Sequence, residues 1–192
     1  MNNILLIDAA VRSCSRTRAL SEHLLGRLDG TVTRLALYET ELPQLDEAQL
    51  QRRMDCCDRR CFDDAYFDFA KQFAQADIIV IAAPFWDGSF PAVLKQYIES
   101  ICVTNLTFRY TENGVPEGLC RAKQLWYVTT AGGPIGDDPF GCGYVRALAQ
   151  NMFGIPQVHF VKAEGLDIWG ADERAIMAAA MAEIDAQFGV KE

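Results

Sequence analysis

The chain has 192 residues, is half hydrophobic and 23% charged, and carries a formal net charge of −8, a composition that suits one globular domain with a single core. The acidic balance excludes non-specific nucleic-acid binding, which needs a basic face to neutralise phosphates. No run approaches the roughly 18 apolar residues of a membrane span, and the short run Ile4 to Ile7 behind Met1-Asn2-Asn3 lacks the features of an export signal. With no such signal, the odd set Cys14, Cys56, Cys57, Cys61, Cys102, Cys120 and Cys142 reads as reduced thiols of a cytoplasmic protein.

In chain order, Asn3 to Asp8 is almost continuously apolar, as a strand buried on both faces should be. Leu20, Leu24, Leu25 and Leu28 then recur at helical spacing, which predicts a helix over about 16–28, broken by Asp29-Gly30. Thr31 to Leu37 predicts a second strand. Residues 39–61 are polar, with Cys56, Cys57 and Cys61 close together. Zinc patterns require two Cys-x-x-Cys-like pairs or added histidines, and His23 and His159 are distant, so the cluster reads as thiols on a polar helical stretch.

Phe62 to Ala76 has helical spacing, and Asp77 to Ala83 is the clearest buried strand, ended by Pro84. Pro91 suits the first turn of a helix whose face is Val93, Leu94, Tyr97, Ile98 and Ile101. Gln124 to Thr130 predicts a fourth strand, about 140–152 a helix, Gln157 to Ala163 a fifth strand, and 171–187 a last, alanine-rich helix. Strand-helix alternation of this kind predicts a parallel sheet covered on both faces: an α/β doubly wound fold, one domain over 1–192.

Such a sheet binds ligands beyond the carboxyl ends of its strands, where strand order reverses. In the order 2-1-3-4-5, the loops after strands 1 and 3 line that crevice. The first, Ala9 to Arg18, brings three arginines and three hydroxyls to a helix N-terminus, where free N–H groups and the helix dipole attract phosphate; the alternative is a Ser15 cap with solvated arginines. Neither Gly-x-Gly-x-x-Gly nor a Walker-type Gly-Lys-Ser/Thr follows strand 1, which argues against a dinucleotide Rossmann enzyme and a P-loop hydrolase. The second loop, Pro84-Phe85-Trp86-Asp87-Gly88-Ser89-Phe90-Pro91, offers apolar faces to a flat ring. After strand 4, Thr130-Ala131-Gly132-Gly133 lets backbone approach closely. A phosphate, a flat ring and the ring's polar edge together describe flavin mononucleotide (FMN).

Three stretches then carry a family resemblance. Ser15-Arg16-Thr17 is similar to the hydroxyl-rich phosphate loop of the flavodoxin-like NAD(P)H:quinone oxidoreductases, most closely the FMN-dependent NADH-azoreductases. Ala83-Pro84-Phe85-Trp86 through Leu94-Lys95-Gln96-Tyr97 resembles their flavin-ring loop and following helix. Thr107 to Gly114, with Pro116-Glu117-Gly118-Leu119, resembles their insertion before strand 4 and is the most specific of the three. Thr130 to Gly133 and Ala163-Glu164-Gly165 match further loops.

The resemblance implies a flavodoxin-like fold, with phosphate contacts at Ser15, Arg16 and Thr17, ring contacts at Pro84, Phe85, Trp86, Asp87 and Gly88, and further flavin contacts at Thr130, Ala131, Gly132 and Gly133. It implies an acceptor site at Phe108 and Tyr110, reached across a homodimer interface, with no catalytic side chain and no metal. The implied reaction is a two-electron, ping-pong transfer from NADH or NADPH to quinones or azo compounds; a flavin-binding electron carrier or regulatory flavoprotein is the alternative. The chain departs from the family at Ala9 and Ala10, where a serine is usual, at Trp86-Asp87-Gly88, where aromatic-Asn-Phe is common, and at Ala131.

Overall fold

The computed structural model describes residues 1–189, and the five apolar runs pair into one parallel sheet. β1 (Asn2–Asp8) and β3 (Ile78–Ala82) are central, β2 (Gly30–Ala36) and β7 (Gln157–Ala163) form the edges, and β6 (Gln124–Thr130) lies between β3 and β7, giving the order β2-β1-β3-β6-β7. In the order of the five sheet strands this is the 2-1-3-4-5 expected from sequence. Registers run Ile4 opposite Val32 and Ile78, Val80 opposite Trp126, and Leu125 opposite Val158. All five residues of β3 are buried, which is why it reads as an unbroken apolar run rather than an alternating one.

Alternation sorts the strand side chains into two cores. Leu5, Ile7, Ile79, Ile81, Leu125 and Tyr127 pack under α3 (Asp68–Gln75), α4 (Ala92–Ile101) and α5 (Cys142–Leu148). Ile4, Leu6, Ile78, Val80, Trp126 and Val128 pack under α1 (Arg16–Leu25) and α6 (Glu173–Gln187). α2 (Glu47–Arg59) opens on Asp46, whose side chain accepts from Gln49 N–H, and closes on Arg60 in the left-handed region. It contributes Cys57 to a smaller cluster with Phe67, Ala70 and Val103.

Three helices are shorter than their periodicity predicts. α1 stops at Leu25 and leaves Gly26 to Leu28 in tight turns, with Arg27 N–H bonded to Leu24 and Leu28 N–H to Leu25. Across Phe62 to Ala76, the Asp64 carboxylate accepts the Tyr66 N–H at 2.8 Å and starts a 3-10 turn, Ala65–Phe67, before α3. Phe62 instead folds edge-on against Phe67. α5 widens after Leu148 into a π-helical turn, Ala149–Phe153, closed by Gly154 at φ 73°. The insertion before β6 is a two-stranded antiparallel hairpin, β4 (Phe108–Tyr110) and β5 (Pro116–Gly118). A Cβ on Gly118 would collide with the backbone of Phe153 and Gly154, so glycine fixes how closely hairpin and π turn meet.

Candidate active site

β1 ends at Asp8, a 7% exposed carboxylate at the point where neighbouring strands diverge. One of its oxygens accepts Ala10 N–H at 2.8 Å and the other pairs with Arg18 Nε at 2.6 Å. The remaining Arg18 nitrogens donate to the carbonyls of Ala10, Arg12 and Ser13 at 2.8, 3.1 and 3.3 Å. Arg18 is therefore the post around which the loop after β1 is wound, its charge already matched by Asp8.

Ser15 caps α1 by accepting Arg18 N–H at 3.3 Å, and the first helical bond runs from Ala19 N–H to Ser15. The N–H groups of Arg16 and Thr17 precede that bond and point out of the helix end, the arrangement that receives a phosphate. The Arg16 guanidinium does not point there: it grips Asp167 through two bonds of 2.8 and 3.2 Å, with Glu173 at 3.5 Å. That pairing, led by the Arg16 hydrogen bond, holds the Asp167 carboxyl below its ordinary range and, led by the reciprocal bond, raises the guanidinium. Arg12 makes no ion pair among the described residues and is exposed at the rim. Thr17 is buried, its hydroxyl 2.6 Å from that of Thr130 at the end of β6.

Opposite the helix end, Pro84, Phe85 and Trp86 form an apolar wall, anchored by Phe85 N–H to the Thr130 carbonyl at 3.0 Å. Trp86 and Ser89 exchange backbone bonds of 2.9 Å, with Asp87 at φ 51° and Gly88 at φ 79° between them. Positive φ at both central residues is the signature of a type I′ turn, for which Asp-Gly is a favoured pair. Asp87 is thus a turn residue first.

These walls enclose a crevice of about 190 Å³ lined by Ser15, Arg16, Thr17, Pro84, Phe85, Trp86, Thr130 and Gly132, together with Ala10, Val11, Arg12, Cys14 and Asp167. The structure thus brings together eight of the residues that the sequence assigned to the cofactor. Asp87 and Gly88 stand at the tip of their turn, outside the lining. Ala131 is buried and works through its backbone, its N–H bonded to Ala163 and its carbonyl to Leu166 N–H. Gly133 also lies outside the lining, with open space where a Cβ would project. A Cβ on Gly132 would meet the tip of the Asp167 carboxylate, so a side chain there would push the acid from its seat on Arg16.

Phe108 departs from its expected role: it is 5% exposed and belongs to the buried core, edge-on to Tyr110. Tyr110 is 56% exposed, and neither residue lines the crevice of its own chain. Sequence reasoning missed Asp8 and Asp167 altogether and counted Arg18 only as charge. Asp8, the one acid closing a buried strand, was a usable signal; Asp167, 151 positions from Arg16, gave none.

A family profile described as flavodoxin-like fold matches residues 2–188. An FMN-dependent NADH:quinone oxidoreductase of Lachnoclostridium phytofermentans is 33% identical over 184 residues, covering 91% of this chain and 92% of that protein. A second of that name, from Clostridium acetobutylicum, is 43% identical over 120 residues, 60% of this chain and 59% of its own. Among solved structures, an azoreductase from Bacillus anthracis superposes with a TM-score of 0.83 at 25% identity, covering 98% of this chain and 99% of that one. Matches along almost the full length, in sequence and in fold, fix the membership: the chain belongs to the flavodoxin-like family of FMN-dependent NADH:quinone oxidoreductases.

Proposed function

We propose that this protein is a cytoplasmic, FMN-dependent oxidoreductase that takes two electrons from NADH or NADPH and delivers them to a quinone or azo compound, working as a homodimer of one FMN-binding domain per chain. The observation that carries the reading is the crevice itself, in which a capped helix end with outward N–H groups faces an aromatic wall. The names of the relatives support the donor and the acceptor classes.

The residues present fit FMN. The Arg16 and Thr17 amides and the Ser15 hydroxyl suit its phosphate, Pro84 to Trp86 suit a ring face, and Gly132 keeps the backbone after β6 free of side chain. Bound FMN supplies the redox chemistry, and the protein supplies binding, orientation and electrostatics. Arg18 and Asp8 hold the phosphate loop in shape before the cofactor arrives, and the Thr17–Thr130 hydroxyl pair ties the helix end to the loop after β6. Asp167 keeps the Arg16 side chain aside, so that the backbone amides rather than the guanidinium face the phosphate. Arg12 is the cation left to meet it.

Purified protein should show the yellow absorbance of bound FMN and oxidise NADH with a benzoquinone at one-to-one stoichiometry. Protein that carries no FMN, and gains none when it is supplied, overturns the reading. Replacing Ser15 by alanine removes the one side-chain hydroxyl among these phosphate donors and should weaken FMN binding by roughly 1.5–3 kcal/mol, about one hydrogen bond to a charged group, as fluorescence titration would read.

A further inference from the structure

The three cysteines near the end of α2 have no part in the crevice, yet two of them occupy a specific geometry. Cys61 N–H bonds to the Cys56 carbonyl at 3.1 Å, Arg60 N–H bonds to the Cys57 carbonyl at 3.3 Å, and Arg60 is left-handed at φ 53°. This is the Schellman motif, in which the third residue from the helix end and the second residue beyond it face one another and usually meet. Here both of those positions are cysteine. The direct backbone bond also keeps their Cα atoms close to the roughly 4.4–6.8 Å that a disulfide spans. Cys57 belongs elsewhere, buried with Phe67, Ala70 and Val103.

We propose that Cys56 and Cys61 form a reversible intramolecular disulfide, a thiol-modification site at the C-terminus of α2 whose oxidant is hydrogen peroxide. Cys61 is exposed and meets the oxidant, while Cys56 is half-buried behind it. The Cys61 thiolate attacks one peroxide oxygen, the O–O bond breaks, and the departing hydroxide takes up a proton as water, leaving a sulfenic acid. The Cys56 sulfur then attacks that sulfenic sulfur: the S–S bond forms, the S–O bond breaks, and a second water leaves with the Cys56 proton. Two thiols give up two electrons and two protons, and the peroxide accepts both. Burial, and then the neighbouring Cys61 thiol, push the Cys56 thiol up, which disfavours it as the first nucleophile.

The test uses full-length protein treated with one equivalent of hydrogen peroxide, blocked with iodoacetamide and digested with trypsin. Cleavage after Arg59 and Arg60 separates the two cysteines, so the disulfide appears as a cross-link between peptides 54–59 and 61–71, lost on adding dithiothreitol. The cross-link should persist in Cys57→Ser and vanish in Cys56→Ser and Cys61→Ser, with thermal melting of each variant confirming that it folds. A cross-link that survives in Cys56→Ser, a bond between Cys56 and Cys57, or a Cys61 that proceeds to sulfinic acid beside two alkylated partners overturns the proposal.

Discussion

Asp87 shows how one backbone angle limits what a side chain can be. At φ 51° it lies where a left-handed conformation costs an ordinary residue roughly 1–2 kcal/mol. Asp87→Gly should therefore leave the urea midpoint unchanged or higher, whereas Asp87→Val should lower stability by about that amount. Because the carboxylate stands outside the crevice lining, Asp87→Asn should leave the potential of bound FMN within about 10 mV of wild type, less than half a kcal/mol at about 30 mV per 1.4 kcal/mol. Glu164 is tuned differently. It accepts Ile135 N–H at 2.8 Å and the Lys162 ammonium at 2.9 Å, and these bonds, the backbone one first, hold its carboxyl below the usual range. A carboxyl depressed in the folded state contributes stability above its unfolded pKa, about 4.3, and loses it as pH falls through the folded value. The melting-temperature gap between wild type and Glu164→Gln should accordingly narrow as pH is taken from 7 to 3. Ser15, Thr17 and the aromatic wall were legible because each stands beside its helix or strand end. Asp8–Arg18 and Arg16–Asp167 were not, since a pairing between distant positions leaves no periodic trace.

At the scale of elements, the sheet strands were readable to within a residue or two because burial on both faces demands unbroken apolar runs. Helix ends were less so. α5 changes to π geometry at Ala149 where Phe153 and Gly154 receive the hairpin, a tertiary contact that spacing cannot encode. The hairpin strands are three residues each, too short to alternate visibly, and only the family resemblance marked the segment. Their seat depends on Gly118. Gly118→Ala forces backbone against backbone, so a loss of stability at or above the roughly 1–3 kcal/mol of ordinary overpacking is expected, read as an earlier denaturant transition. A transition at the wild-type midpoint would show that hairpin and π turn separate freely.

For the whole molecule, the crevice is walled by the loops after β1, β3 and β6 and left open on the side that Tyr110 of the same chain does not reach. In the proposed twofold dimer, the commonest symmetric assembly, a second Tyr110 would cover that opening. Light scattering should then give twice the 21.4 kDa chain mass at micromolar concentration. Tyr110→Ala should raise the acceptor KM several-fold while leaving FMN affinity unchanged. Monomeric protein with full activity would remove the partner from the site.

The meeting of Gly132 and Asp167 also bears on descent. Their atoms claim the same space, and the acid in turn restrains Arg16. A lineage that acquires a side chain at 132 has to surrender or redirect the acid at 167, and a lineage that loses the acid is released from glycine. The two positions should therefore drift together across the family, with alanine or serine at 132 found beside a small or neutral residue at 167, or beside an aspartate that no longer holds the arginine at 16.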